Sequence, residues 1–239
     1  MTIIRIACAA IALSWLGGTI SPPADAQRSD YRDRYDSRDR DSRQRNVPGR
    51  FDYYALVLSW SPTHCANAQR GRDDLQCNRR DGRRYNFVLH GLWPQYERGF
   101  PDSCPTRDRP FVPNRIIDQM LDIMPAKGLI IHEYKKHGTC SGLSPDAYFA
   151  LARRAYGRVR RPEVLRRLQR PVRLPASVIE EAFLQANPGW SRDMLTITCK
   201  EGRIAEARLC LSRGLEPLPC GSDMVRDCPL KDAVFAPVR

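Results

Sequence analysis

The chain lacks a long apolar run, closely paired cysteines and more than a few histidines. Its most apolar stretch near the start is Ile6 to Leu16, in a chain of 239 residues. A bilayer-crossing helix needs about 20 such residues, and nothing downstream is longer, which argues against a membrane anchor. Arg5 precedes the stretch and Ala24-Asp25-Ala26 ends it, the charged flank and small-residue cleavage site of an export signal. No C-x₂-C pair is present, so the nine cysteines do not read as a structural zinc site. Cys8 falls inside the signal. The remaining eight, Cys65, Cys77, Cys104, Cys140, Cys199, Cys210, Cys220 and Cys228, are an even set suited to four disulfides in an oxidising compartment. A secreted or periplasmic location follows from both observations.

Aliphatic residues are almost missing from "RSDYRDRYDSRDRDSRQRN", where seven Arg face five Asp between Arg28 and Arg45. Such a stretch cannot bury enough apolar area to offset its ordering entropy and is expected to be disordered. No internal repeat is visible. The expected organisation is a signal over 1–26, the Arg/Asp-rich segment over 27–47, and one domain over 48–239. The formal net charge is +12, most of it in that domain. A basic exported domain suggests a polyanionic partner: nucleic acid, an anionic envelope polymer or a membrane surface. A soluble basic protein with no such partner is also compatible.

"FDYYALVLSW" reads as a central strand and "YNFVLHGLW" as a second strand ending near His90. "PNRIIDQMLDIM" reads as a helix capped by Asn114, and "SPDAYFALARRAY" as another with Ser144 at the cap and Pro145 in the first turn. "PASVIEEAFLQAN" is a third, closed by Pro188-Gly189. "MLTITCKEGRIAEARLCLS" reads as two strands around "KEGR", with Cys199 and Cys210 placed to bridge them. The expected fold is α+β: a central, mostly antiparallel sheet flanked by helices in one disulfide-bridged domain.

The four histidines are His64, His90, His132 and His137. Two fall in "LIIHEYKKHGTC", five residues apart. On a helix that spacing separates them by about 140°, a poor fit to one zinc ion, which needs histidines four apart. Relative to His132, Lys136 falls at about 40°, Glu133 at about 100° and His137 at about 140°. One helical face therefore carries proton carriers, a cation and a carboxylate, as a phosphorane-like transition state requires. A solvated helix with incidental i,i+4 links is the competing reading. The glycine exit and the cysteine after it favour a fixed, preorganised end. Cleaving a phosphodiester with an internal 2′-hydroxyl needs two proton carriers, and His90 offers the second.

"FVLHGLWPQ" and "HEYKKHGTC" resemble the two active-site segments of the ribonuclease T2 family, acid endoribonucleases that are largely base-non-specific. "LVLSWSPTHC" resembles the strand preceding them in bacterial members. The resemblance implies His90 and His137 as the acid/base pair, with His137 the base and His90 the acid of the first step. It implies phosphate binding by His132 and charge stabilisation by Glu133 and Lys136. RNA would be cut through a 2′,3′-cyclic phosphate to a 3′-phosphate, by a monomer with no cofactor and no metal. Trp93 corresponds to a base-stacking residue, though a packing role is equally compatible; Tyr96 or Phe100 would help form a base pocket. "QYERGFPDSC" lacks the acidic residue that often follows "HGLWP" in fungal and plant members. Tyr134 stands where the family often has Trp, and His64 has no implied role. The resemblance also implies Cys104–Cys140 and Cys199–Cys210, leaving Cys65–Cys77 and Cys220–Cys228. A basic RNA-binding or cytotoxic module with little catalysis is the alternative.

Overall fold

The computed structural model describes residues 46–67, 76–77, 82 and 84–238. The export signal and the Arg/Asp-rich segment as far as residue 45 lie outside the described residues.

The chain forms an α+β fold around a six-stranded sheet. Strand β1 (Tyr53–Trp60) is sandwiched between β2 (Phe87–Gln95) and β5 (Arg203–Leu211), antiparallel to both. β4 (Leu195–Lys200) pairs antiparallel with the other side of β5, and β3 (Val172–Leu174) with β6 (Ala233–Phe235). The contact between β5 and β6 is parallel, so the sheet is mostly but not wholly antiparallel. β1 is almost fully buried, which its near-continuous apolar sequence requires of a central strand. Its side chains alternate. Tyr54, Leu56, Leu58 and Trp60 enter the main core, whereas Ser59 lines a cleft on the opposite face.

Helices α1 (Ser61–Asn67), α2 (Asn114–Met120), α3 (Lys127–Lys136), α4 (Pro145–Arg158), α5 (Glu163–Arg166) and α6 (Ala176–Ala186) complete the described fold. α4 begins as its sequence indicates, with Ser144 accepting a hydrogen bond from the Ala147 amide. On its inner face, the Tyr148 and Tyr156 hydroxyls donate to the carbonyls of Leu92 and Phe87, satisfying the outer edge of β2. α6 contributes Phe183, whose ring meets Phe87 edge-on at 5.2 Å, and Phe87 in turn packs on Trp60. Asn114 does not cap α2: it is the first helical residue, preceded by Pro113, and no side-chain cap bond forms. No described helix is long and apolar enough to cross a membrane.

The eight cysteines from Cys65 onward are all bridged, as Cys65–Cys77, Cys104–Cys140, Cys199–Cys228 and Cys210–Cys220. The expected Cys199–Cys210 and Cys220–Cys228 bridges are therefore wrong. The β4–β5 register explains why: Cys199 lies opposite Ile204 beside the turn, while Leu209 lies opposite Leu195 at the far end. Cys210 is thus about five residues along the ladder from Cys199, some 17 Å at about 3.4 Å per residue. A disulfide spans less than about 7 Å between Cα atoms. Each cysteine instead bonds to the C-terminal segment passing its own end of the hairpin.

Candidate active site

Strand β2 does not end at His90 but continues to Gln95, and the continuation is irregular. Val57 of β1 faces Gly91 while Leu58 faces Leu89, so His90 has no residue opposite it. It is the extra residue of a β-bulge, a device that re-aims a side chain at the cost of one ladder position. Alternation is thereby broken, and His90 and Trp93, three apart, come together with ring centroids 5.2 Å apart. Gly91 lies between them because there is no room for a side chain: a Cβ would lie inside contact distance of Glu133 Oε2 and Trp93 Nε1.

The second half comes from the end of α3. His137 is its C-terminal cap and donates its amide to the Glu133 carbonyl; a 3₁₀ turn, Gly138–Ser141, follows. The chain here is held from three sides. Cys140 is bonded to Cys104, the Ser103 amide donates to the Lys136 carbonyl, and the Tyr134 hydroxyl donates to the Leu143 carbonyl. The four ionisable groups of this segment do not share one environment. Glu133 and His137 are buried, Lys136 is half-buried and His132 is exposed. The carboxylate and one imidazole thus face the protein, and the other two groups form a rim.

The halves meet at Trp93. Its indole N–H donates to Glu133 Oε2 at 2.6 Å, and its ring stacks on His137 at 4.8 Å with 18° between planes. His90 Nε2 lies 3.6 Å from Glu133 Oε1. Both imidazoles therefore pack on one indole, with a carboxylate bonded to that indole and beside His90. On the far side, His90 Nδ1 is 2.6 Å from Glu206 Oε1 of β5.

This arrangement separates the two imidazoles electrostatically. Burial drives His137 down to about 3, assisted by the positive charges of Lys136, His90 and His132. Its Nδ1 is buried with no hydrogen-bond partner among the described residues, so nothing offsets the cost of charging the ring. Burial also pulls His90 down, but the hydrogen bond and charge of Glu206, joined by Glu133, outweigh it and raise its pKa above the ordinary value. Burial lifts Glu133 to about 7, against the opposing pull of His90, Trp93 and Lys136. One imidazole is held neutral while the other favours its protonated form, the division of labour that acid–base catalysis requires.

The family model described as "Ribonuclease T2 family" matches residues 51–220, a span containing every one of these groups. The chain belongs to the ribonuclease T2 family. It is 51% identical over 104 residues to "Ribonuclease" of Aeromonas hydrophila, an alignment covering 44% of each chain. It is 30% identical over 141 residues to "Ribonuclease I" of Escherichia coli (strain K12), covering 42% of this chain and 51% of that one. The chain thus spans about half the length of these curated relatives. Among solved structures it resembles RNase NT in complex with 5′-AMP, at a TM-score of 0.59 and 24% identity, covering 80% of this chain and all of that one. Trichomaglin gives a TM-score of 0.61 at 22% identity, covering 79% and 98%. At these identities the likeness establishes the ribonuclease T2 fold.

Within this ribonuclease T2 fold, a cleft of about 1030 Å³ runs from His90 and His132 past Ser59 and Thr63 to Lys200 and Arg208. His64, which carried no expected role, lies on its wall. Tyr96 packs partly against the core, and Phe100 is 51% exposed in the loop after β2. Trp93 is engaged through both its N–H and its ring stack with His137, so it belongs to the cluster of His90, Glu133 and His137. Sequence reasoning missed Glu206 and Arg208. Their signal is two charged residues at i and i+2 on one face within the strand "RIAEARLCL", apolar elsewhere except for its first residue Arg203, with the intervening Ala207 fully buried.

Proposed function

We propose that this protein is an exported, metal-independent endoribonuclease. The reading rests on one observation: His90 and His137, from distant parts of the chain, converge on Trp93 beside the carboxylate of Glu133. In the first step, the 2′-oxygen of the substrate attacks phosphorus and its proton passes to neutral His137. The bond from phosphorus to the 5′-oxygen breaks, and His90 gives that oxygen its proton. A 2′,3′-cyclic phosphate results. In the second step His90 takes a proton from water, water opens the ring, and His137 returns its proton to the 2′-oxygen, leaving a 3′-phosphate.

A base pushed down to about 3 is neutral at every working pH but weakly basic. A bound phosphodiester corrects this, since its negative charge beside the ring stabilises the imidazolium and raises basicity. Lys136 and His132, on the rim, hold the phosphoryl oxygens, and Glu133 serves the charge developing there. Tyr96 and Phe100 are the candidates for base contact. The nucleophile belongs to the substrate, so the mechanism calls for no metal, and DNA offers no nucleophile. Export is supported by the signal-like N-terminus and by the four bridges.

The purified full chain should cut RNA, but neither DNA nor 2′-O-methyl RNA, in EDTA, and leave cyclic phosphate ends. His90→Phe and His137→Phe should each lower kcat by about 10²–10⁴-fold, the usual contribution of a positioned acid or base. Cleavage at wild-type rates by either variant would remove the assignment. EDTA-sensitive cleavage would move the reaction to another class.

A further inference from the structure

We propose that Glu206, clamped by Arg208, is the positioning residue of His90: it fixes the ring, dictates which nitrogen faces the substrate, and keeps that nitrogen able to donate a proton. This deepens the ribonuclease reading and rests on it.

The sheet brings these groups together. Glu206 lies opposite Ser59, Arg208 opposite Val57, and Val57 opposite Gly91. β5 and β2 flank β1, so they are two strand spacings, or about 9.6 Å, apart. Small residues on the intervening strand leave a gap that only long side chains from both outer strands can bridge. Glu206 and the bulged His90 do so, at 2.6 Å.

A carboxylate can only accept, so His90 Nδ1 must carry the hydrogen, and Nε2 is left as the working atom toward Glu133. The other oxygen of Glu206 is occupied: Oε2 accepts from Arg208 Nε at 3.0 Å and from a terminal nitrogen at 2.8 Å. With both oxygens bonded the carboxylate cannot rotate away. Burial opposes its ionisation, but His90 and Arg208 overcome this and hold it below the ordinary carboxylate range. The Arg208 guanidinium also lies 5.4 Å from the Trp93 ring centroid, so the clamp reaches the indole shared by both imidazoles. A partly exposed ion pair of this kind adds little to stability, so a purely structural account leaves its presence unexplained.

His90 is faced by Glu206 and Arg208 from β5, by Glu133 of α3 with Lys136, His132 and His137 beyond it, and by Trp93 on its own strand. Removing the Glu206 charge leaves Arg208 unopposed there, and His90 then loses its proton at lower pH.

The test compares two substrates on the full chain: an oligoribonucleotide, whose leaving 5′-oxygen needs a proton, and nucleoside 3′-(4-nitrophenyl phosphates), whose leaving phenolate does not. Glu206→Gln should lower kcat on the oligoribonucleotide by about 10²-fold, with little change in KM. The basic limb of its pH–rate profile should move to lower pH, Glu206→Asp should recover part of the loss, and cleavage of the aryl esters should stay near wild type. Arg208→Met, which keeps the carboxylate but releases it, should give a smaller loss with the same substrate selectivity. Equal losses on both substrates, or an unmoved basic limb, would overturn the proposal and leave Glu206 a structural residue. If Glu206→Gln does not fold, Arg208→Met decides by the same criterion. Failure of the wild type to cleave either substrate would sink the ribonuclease reading itself, an outcome distinct from a wild type that cuts both and a Glu206→Gln variant that matches it.

Discussion

Gly91 shows how little room the clustered side chains of the candidate site leave one another. A methyl group there would meet Glu133 Oε2 and Trp93 Nε1, the two atoms that hydrogen-bond at 2.6 Å. Gly91→Ala must therefore separate the indole from the carboxylate, and the Trp93 ring carries His137 with it. Displacements near 1 Å cost about 10²-fold in rate, so kcat on RNA should fall by at least that much. Overpacking costs about 1–3 kcal/mol, which a thermal melt will register as a modest loss. Gly157 is the control. It lies in α4, where an added Cβ would meet nothing within 4 Å, so Gly157→Ala should keep activity and stabilise by up to about 1 kcal/mol. An active Gly91→Ala would show that the Trp93–Glu133 bond is dispensable. At this scale His90, Glu133, Lys136 and His137 were legible because two motifs carry them. Glu206 was not, since Glu-x-Arg on a strand also describes any solvated face, and its meaning depends on a bulge two strands away.

The elements that position the site are a bulged strand and a helix end, joined by the Cys104–Cys140 bridge. That bridge ties the loop after β2 to the 3₁₀ turn following His137 and closes a separation of 36 residues. By loop entropy such a closure is worth about 4 kcal/mol. Replacing both cysteines with serine should lower the urea midpoint accordingly. It should also reduce kcat more than loss of Cys65–Cys77, which closes a separation of 12 and attaches to neither β2 nor α3. Equal effects on kcat would mean that the bridge stabilises the domain without positioning His137. Some elements declare themselves locally. Ser144-Pro145 starts α4 because hydroxyl capping and a proline first turn need only adjacent residues. Others depend on the partner strand. The sequence of β2 does not show where it is bulged, and the β4–β5 hairpin was recognised while its disulfides were not. Pairing Cys199 with Cys210 ignores the register, which separates them along the ladder and brings the C-terminal segment to each.

Across the whole molecule, buried groups set an acid optimum for stability. Burial lifts Glu133 to about 7, and burial with Asp227 lifts Glu180 to about 7, against an ordinary value of 4.5 for each. From 4.5 to 7 the folded protein therefore holds two protons that the unfolded chain has released, and this stabilisation is lost as pH rises. His137 acts oppositely. Between its ordinary 6.5 and about 3 the unfolded chain holds a proton that the folded protein refuses. Where the windows overlap, two glutamates outweigh one histidine by one proton, and above 6.5 the raised His90 adds in the direction of the glutamates. Stability should then increase as pH falls from 7 toward 4.5, by about 1.4 kcal/mol per pH unit for one net proton. Below 4.5 the glutamates are protonated in both states and their contribution is constant. His137 then dominates, joined by Asp122 and Glu206, which Arg153 and His90 respectively help hold below the ordinary range. Repulsion on a chain already at +12 grows in the same direction. Urea midpoints measured from pH 3 to 9 should peak near 4.5. Glu180→Gln should flatten the rise between 7 and 4.5 without touching cleavage, because Glu180 pairs with Arg192 rather than with the acid–base cluster. A peak at pH 7 or above would mean that Glu133 and Glu180 are ionised in the folded protein, and a charged Glu133 would then hold His90 protonated to still higher pH.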